Sequence, residues 1–145
     1  MERKPQNLEN HAKYAPAFHF VAVPVLSAAA VYFGWRAVQA PSLDTVAAAL
    51  FAVAVLIIAF VSRLFALGVQ DRVIRLEERL RLESLLPEEE WPRIPEFSTD
   101  QLIGLRFASD EELPELARRV LAGELHDRTE IKKAVRDWRA DYERI

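Results

Sequence analysis

His11 and His19 are the residues of this chain best suited to hold a metal or a haem. They flank the start of a long apolar stretch and can face one helical side, and imidazole is a common ligand for transition metals and haem iron. Two copies of the chain would supply two such pairs. His19 has a second use, as an interfacial aromatic hydrogen-bonded to a headgroup or a carbonyl, and His126 stands apart. Arg63 is the one charge inside the second apolar run. A charge at membrane depth can serve an ion or proton path. Near the cytoplasmic end its stem can instead snorkel to the headgroups, and the position favours that use. Glu88, Glu89 and Glu90 read as a charge run, since nothing places them in a pocket. Gly34, Gly68, Gly104 and Gly123 stand alone, so no phosphate loop is present, and no serine sits in a nucleophile elbow. Cysteine is absent, which excludes disulfides, thiolate metal sites and cysteine nucleophiles. A net charge of −3 argues against a dedicated nucleic-acid binder, which needs positive charge to displace counterions from phosphate.

The elements that would position these residues start with two apolar stretches, residues 17–38 and 46–69. Each can cross a bilayer, because ~20 apolar residues at ~1.5 Å rise span ~30 Å of hydrocarbon. A buried hairpin of a soluble protein is the plainer alternative. Residues 46–61 carry no charge and hence no solvated face, and the rest of the chain is too small to cover two such helices. A cleavable signal peptide is also conceivable, with Val38-Gln39-Ala40 imitating a cleavage site, but Pro41 follows directly and the run is long for a signal core. A retained transmembrane hairpin is therefore expected. Arg3, Lys4 and Lys13 on one flank, and Arg63, Arg72, Arg75, Arg79 and Arg81 on the other, place both termini in the cytoplasm. Pro24 is expected to kink the first span, Pro41 to end it, and Ser42 or Asp44 to cap the second. The small residues Ala30 and Gly34, and Ala48 and Ala52, are spaced for close helix packing. Tyr32 and Trp35, and Tyr14, Phe18 and Phe20, fit aromatic belts.

Beyond the membrane the second span continues into RVIRLEERLRLESLL, an amphipathic juxtamembrane helix over residues 70–86. Val69, Val73, Leu76 and Leu80 fall on one stripe, with Arg72, Arg75 and Arg79 beside it. Glu77 with Arg81, and Arg79 with Glu83, are spaced for i,i+4 pairs. The stripe can zip with a copy or a partner, or the helix can lean on anionic lipid through its arginines. Pro87, Pro92 and Pro95 make residues 87–97 a semi-rigid linker, pinned to a neighbour by Trp91 and Phe97. Residues 98–145 read as a module of three short helices. The first covers residues 99–108, capped by Ser98 or Thr99. A capping box at residues 109–112 opens the second, and Gly123 closes it. The same logic at residues 127–130 opens a third that carries Ile131, Ala134, Val135 and Trp138. Leu102, Leu105, Leu113, Leu116, Val120 and Leu121 are expected in its core. The fold class is thus all-α: an N-terminal segment (1–16), a hairpin (17–69), its extension (70–86), a linker (87–97) and a helical module (98–145).

Gln6-Asn7, Asn10-His11-Ala12-Lys13, Pro16 and Phe18-His19-Phe20 resemble the opening of an uncharacterised family of short bacterial two-span membrane proteins, a domain of unknown function. RLFALGVQDRVIRLEERLRL, LRFASDEELPELARRVL and IKKAV-x-x-W-x-x-DY are similar to its remaining signatures. The resemblance covers nearly the whole chain and implies topology and a bacterial source, with no activity attached.

The expected function is therefore non-enzymatic: an interaction or scaffold protein, or an accessory subunit of a larger complex, in the bacterial inner membrane. Its expected partners are membrane lipids and itself or other membrane proteins, with no nucleic acid, small-molecule substrate or cofactor. A metal- or haem-binding redox or sensor protein using His11 and His19 is the alternative. A channel is disfavoured, because two spans cannot line a path without oligomerising.

Overall fold

A computed structural model of the chain describes residues 7, 8, 10 and 14–141. Among these residues all regular elements are helical: a π-helical turn Ala17–Ala22 leading into α1 (Val23–Gln39), α2 (Leu43–Leu85), a 3₁₀ helix Glu88–Glu96, α3 (Thr99–Leu105), α4 (Leu113–Leu121) and α5 (Arg128–Ala134). The described residues divide into two compact units, 14–67 and 68–141 with 7, 8 and 10.

In the first unit, Pro24 lies at the start of α1, and its ring cannot donate to the carbonyl four residues back. The chain before it widens into π geometry, with the Val23 amide donating to Phe18 O. The expected disturbance at Pro24 thus takes the form of a change of winding. After α1, Ser42 caps α2: its Oγ accepts from the Thr45 amide at 3.2 Å. Thr45 returns the bond, its Oγ1 accepting from the Ser42 amide at 2.9 Å and donating to Ala40 O at 2.9 Å. Phe18 meets Phe60 edge to face, with 5.9 Å between ring centroids, and the Arg63 guanidinium carbon stands 6.0 Å from the Phe18 centroid. These contacts join the beginning of the first apolar helix to a late part of the second, as an antiparallel pair requires. The two apolar helices, Ala17–Gln39 and Leu43–Leu85, are each long and apolar enough to cross a membrane. Val25, Val31, Phe51, Ile58 and Phe65 are all exposed.

The second unit has a core of leucines and isoleucines. Leu82 and Leu86 at the end of α2 meet Ile94, Phe97, Leu102, Leu105, Leu113, Leu116, Val120 and Ile131. The proline-rich stretch is a correction to the expected linker. It is a 3₁₀ helix with Ile94 buried, followed by buried Phe97, so it is part of the core and not a spacer. Phe97 does pin it. Trp91 instead closes α2, donating from Nε1 to Leu86 O at 3.1 Å, a carbonyl left unpaired by the helix end.

The short helices also differ from their expected bounds. Ser98 and Gln101 form a full capping box for α3, which stops at Leu105 and not at Ala108. Phe107 and Ala108 then turn back to the C-terminal segment. Ala108 pairs with Trp138, the Ser109 amide donates to Asp137 O at 3.0 Å, and the Arg139 amide donates to Phe107 O at 2.8 Å. That pairing needs extended chain, so α5 ends at Ala134 and Trp138 lies beyond it, its ring 5.0 Å from that of Phe107. The capping box at residues 109–112 is half formed. Ser109 Oγ accepts from the Glu112 amide at 3.3 Å, while the Glu112 carboxylate reaches away to accept from the Arg136 and Asp137 amides. Asp127 caps α5 by accepting from the Thr129 and Glu130 amides at 2.7 and 2.9 Å. Gly123 follows α4 at φ 76°, the left-handed C′ position.

Candidate functional site

α2 presents two different sides in the second unit. Ile74, Glu78, Leu82 and Leu86 recur every four residues and are buried. Glu78 is therefore an acid in phase with apolar residues, only 5 % exposed. Arg81, one turn on, donates from Nη1 to Glu78 Oε2 at 3.1 Å. The same guanidinium donates from Nε to Asp110 Oδ1 at 2.8 Å and from Nη2 to Ala108 O at 2.7 Å. Arg139 reaches Glu78 Oε1 at 3.5 Å. Arg106, also buried, pairs with Asp141 at 3.4 Å and lies over the Phe107 ring at 4.5 Å. Together these groups tie the end of α2 to the turn after α3 and to the C-terminal segment. Burial holds the Glu78 carboxyl above its ordinary value, against the lowering pull of Arg81, Arg139 and Arg106. A cleft of about 640 Å³ opens beside this cluster, lined by Glu77, Glu78, Arg81, Arg106, Arg139 and Asp141 among others. Acids and arginines alternate around it, so it favours neither anions nor cations by net charge. Its chemistry is that of a clamp of mutually neutralised ions, and the Ser84 hydroxyl at its wall donates to Arg81 O at 2.7 Å.

Sequence pattern marks neither Glu78 nor Arg106, and gives Asp110 only a place in the capping box at residues 109–112, whereas its carboxylate accepts from Arg81. It paired Arg81 with Glu77, whereas Arg81 bonds Glu78 and Asp110. The available signal was the i,i+4 recurrence of Ile74, Leu82 and Leu86 with an acid at the intervening position.

Of the predicted residues, Leu80 borders this cleft and the others fall elsewhere. Val69, Val73, Leu76 and Leu80 are all exposed, at 62, 48, 60 and 57 %. Arg72 is exposed beside them, while Arg75 and Arg79 are half-buried. In the first unit Ala52 is buried, and Ala30, Gly34 and Ala48 are half-buried. A Cβ built on Gly34 meets nothing within 4 Å, so no helix approaches it at a distance that demands glycine. His19 turns back on its own chain, its Nδ1 lying 2.9 Å from Ala15 O, with its ring edge-on to Tyr14 and Phe18. His11 lies outside the described residues. Among the described residues no three His, Asp or Glu side chains are grouped to share a metal ion.

A family model matches residues 1–145, the whole chain, and its description is Family of unknown function (DUF6526). The chain belongs to this family. No match is found among curated proteins or among solved structures. Three segments of the chain, residues 63–82, 105–121 and 131–141, converge on the ionic cluster. The first supplies Glu78 and Arg81, the second Arg106, Phe107 and Asp110, and the third Trp138 and Asp141.

Proposed function

We propose that this DUF6526 protein is a non-enzymatic, membrane-anchored interaction protein, working as a scaffold or as an accessory subunit of a larger membrane complex. One observation carries the reading. The second unit covers one side of the α2 extension with its own core and leaves a regular apolar stripe, Val69, Val73, Leu76 and Leu80, in the open. A contiguous apolar strip on a charged helix is costly in water and is the usual mark of a contact surface. The hairpin supplies the anchor: its exposed valines, leucines and phenylalanines suit hydrocarbon and not water.

In this proposal the protein sits in a bacterial inner membrane with both termini cytoplasmic. The basic residues at the N-terminal flank and along α2 support that orientation, because arginine and lysine next to a span are retained on the cytoplasmic side. The stripe and the ionic cluster then lie in the cytoplasm. Gentle purification of the full chain from its native membrane, followed by identification of co-eluting proteins and of its oligomeric state, tests the reading. Association that is lost on Leu76→Asp supports it. A strict monomer that retains no companion protein refutes it.

A further inference from the structure

We infer that the occupant of the α2 stripe is a second copy of this chain, packed in parallel as a short two-stranded coiled coil. This rests on the interaction reading above and names its partner. At ~100° per residue, Val69, Val73, Leu76 and Leu80 fall on the side of α2 opposite Ile74, Glu78, Leu82 and Leu86. The first set is exposed and the second buried, so the unit's own core closes one side and leaves the other available. The steps between the stripe residues alternate four, three, four, the a/d spacing of a heptad with Val73 and Leu80 at a and Val69 and Leu76 at d.

That register fixes the flanking positions without further choice. Arg72 falls at g and Glu77 at e of the following heptad, and both are exposed. In a parallel pair, a g residue meets the e′ residue five positions on in the other strand, so Arg72 of each copy faces Glu77 of the other. Two symmetry-related ion pairs result, of opposite sign in both. An antiparallel pair of these helices would lose that match. Two copies inserted with one topology also leave the membrane in the same direction. The pattern stops at Glu83, a charged d position, which ends the zipper where the chain turns into the 3₁₀ helix.

The chain contains no cysteine, so single cysteines report position cleanly. In native membranes holding full-length protein, Val73→Cys and Leu76→Cys should each give a disulfide-linked dimer on mild oxidation, and Arg75→Cys, at an outer position, should not. Arg72→Glu and Glu77→Arg should each weaken self-association roughly ten- to thirtyfold, because both symmetry-related pairs turn from attraction to repulsion. The double variant Arg72→Glu with Glu77→Arg should restore it. Restoration is a result that a lipid contact or a different protein cannot produce. If neither core cysteine links two copies while a different protein still elutes with the wild type and is lost on Leu76→Asp, the copy is overturned and the interaction reading stands. If Leu76→Asp leaves every association unchanged, with helix content preserved by circular dichroism, both are overturned.

Discussion

Replacing Glu78 by glutamine and by alanine separates the two forces that act on it. The carboxylate is buried, and burial outweighs the favourable contacts with Arg81, Arg139 and Arg106, so its proton is held above the ordinary value of 4.5. Its negative charge therefore adds no net stability, while its shape and acceptor atoms still tie α2 to Arg81 and Arg139. Glu78→Gln keeps the shape and one acceptor and should cost about 1 kcal/mol, the net value of a hydrogen bond. Glu78→Ala leaves a void and removes the partner of a largely buried guanidinium. Arg81 keeps Asp110 and Ala108 O, so the cost should be about 3 kcal/mol, at the low end for breaking a buried pair. Unfolding can be followed by the near-ultraviolet signal of Trp138, which packs on Phe107.

The dependence on pH has a definite sign. Because the folded carboxyl holds its proton to higher pH than the unfolded one, the folded state binds more protons between 4.5 and the raised folded value. The Glu78 contribution is thus fully present below pH 4.5 and is lost as pH rises through the raised folded value. Measured as wild type minus Glu78→Gln, which cancels the other carboxylates, stability should fall with rising pH by at most ~1.4 kcal/mol per unit, the limit for one proton. A difference that grows with pH, or a glutamine variant as unstable as the alanine one, would refute the dominance of burial at this site.

Three further outcomes follow from particular contacts. A Cβ on Gly104 would stand 2.9 Å from Ile131 Cβ and 3.1 Å from Arg128 Cα, backbone that cannot move aside cheaply. Gly104→Ala should therefore part α3 from α5 at a cost of about 1–3 kcal/mol in chemical denaturation, and an unchanged midpoint would show that the two helices have room. Gly123→Ala, at φ 76° with open space around it, should cost about 1 kcal/mol through backbone strain alone, read as a lowered Tm with an unchanged fold by circular dichroism. For topology, Ser42→Cys should react with an impermeant thiol reagent in intact cells and Ser98→Cys only after lysis; labelling at Ser98→Cys alone would invert the orientation.

Much of the local structure was legible because its causes are local. Asp127 before α5 and Gly123 after α4 act within a few residues of themselves, so residue type and spacing suffice to place them, and the same local rule narrows the caps of α3 and α2 to Ser98 or Thr99 and Ser42 or Asp44, of which Ser98 and Ser42 serve. The same holds for the two long apolar helices, whose length and composition need no partner to be recognised. The stripe on α2 was visible for the same reason, since a 3.5-residue repeat is a property of one helix.

What the sequence by itself determined is thus the all-helical class, the caps and the apolar faces. Only the tertiary structure decided which faces are used. Heptad spacing marks Val69, Val73, Leu76 and Leu80, yet the core of the second unit takes in Leu82 and Leu86, where Leu102, Leu105 and Leu113 arrive, and Ile74 and Glu78 are buried in phase with them. Proline spacing at 87, 92 and 95 announces stiff chain and does not say whether Ile94 will find a core to enter. Trp138 sits in helical phase with Ile131 and Ala134, but a distant pairing partner, Ala108, draws it into extended chain. The ionic cluster joins residues 78, 81, 106, 110, 139 and 141, segments far apart in the chain with whole helices between them. An ion pair between distant segments leaves no periodic trace in sequence, because its geometry is fixed by the packing around it.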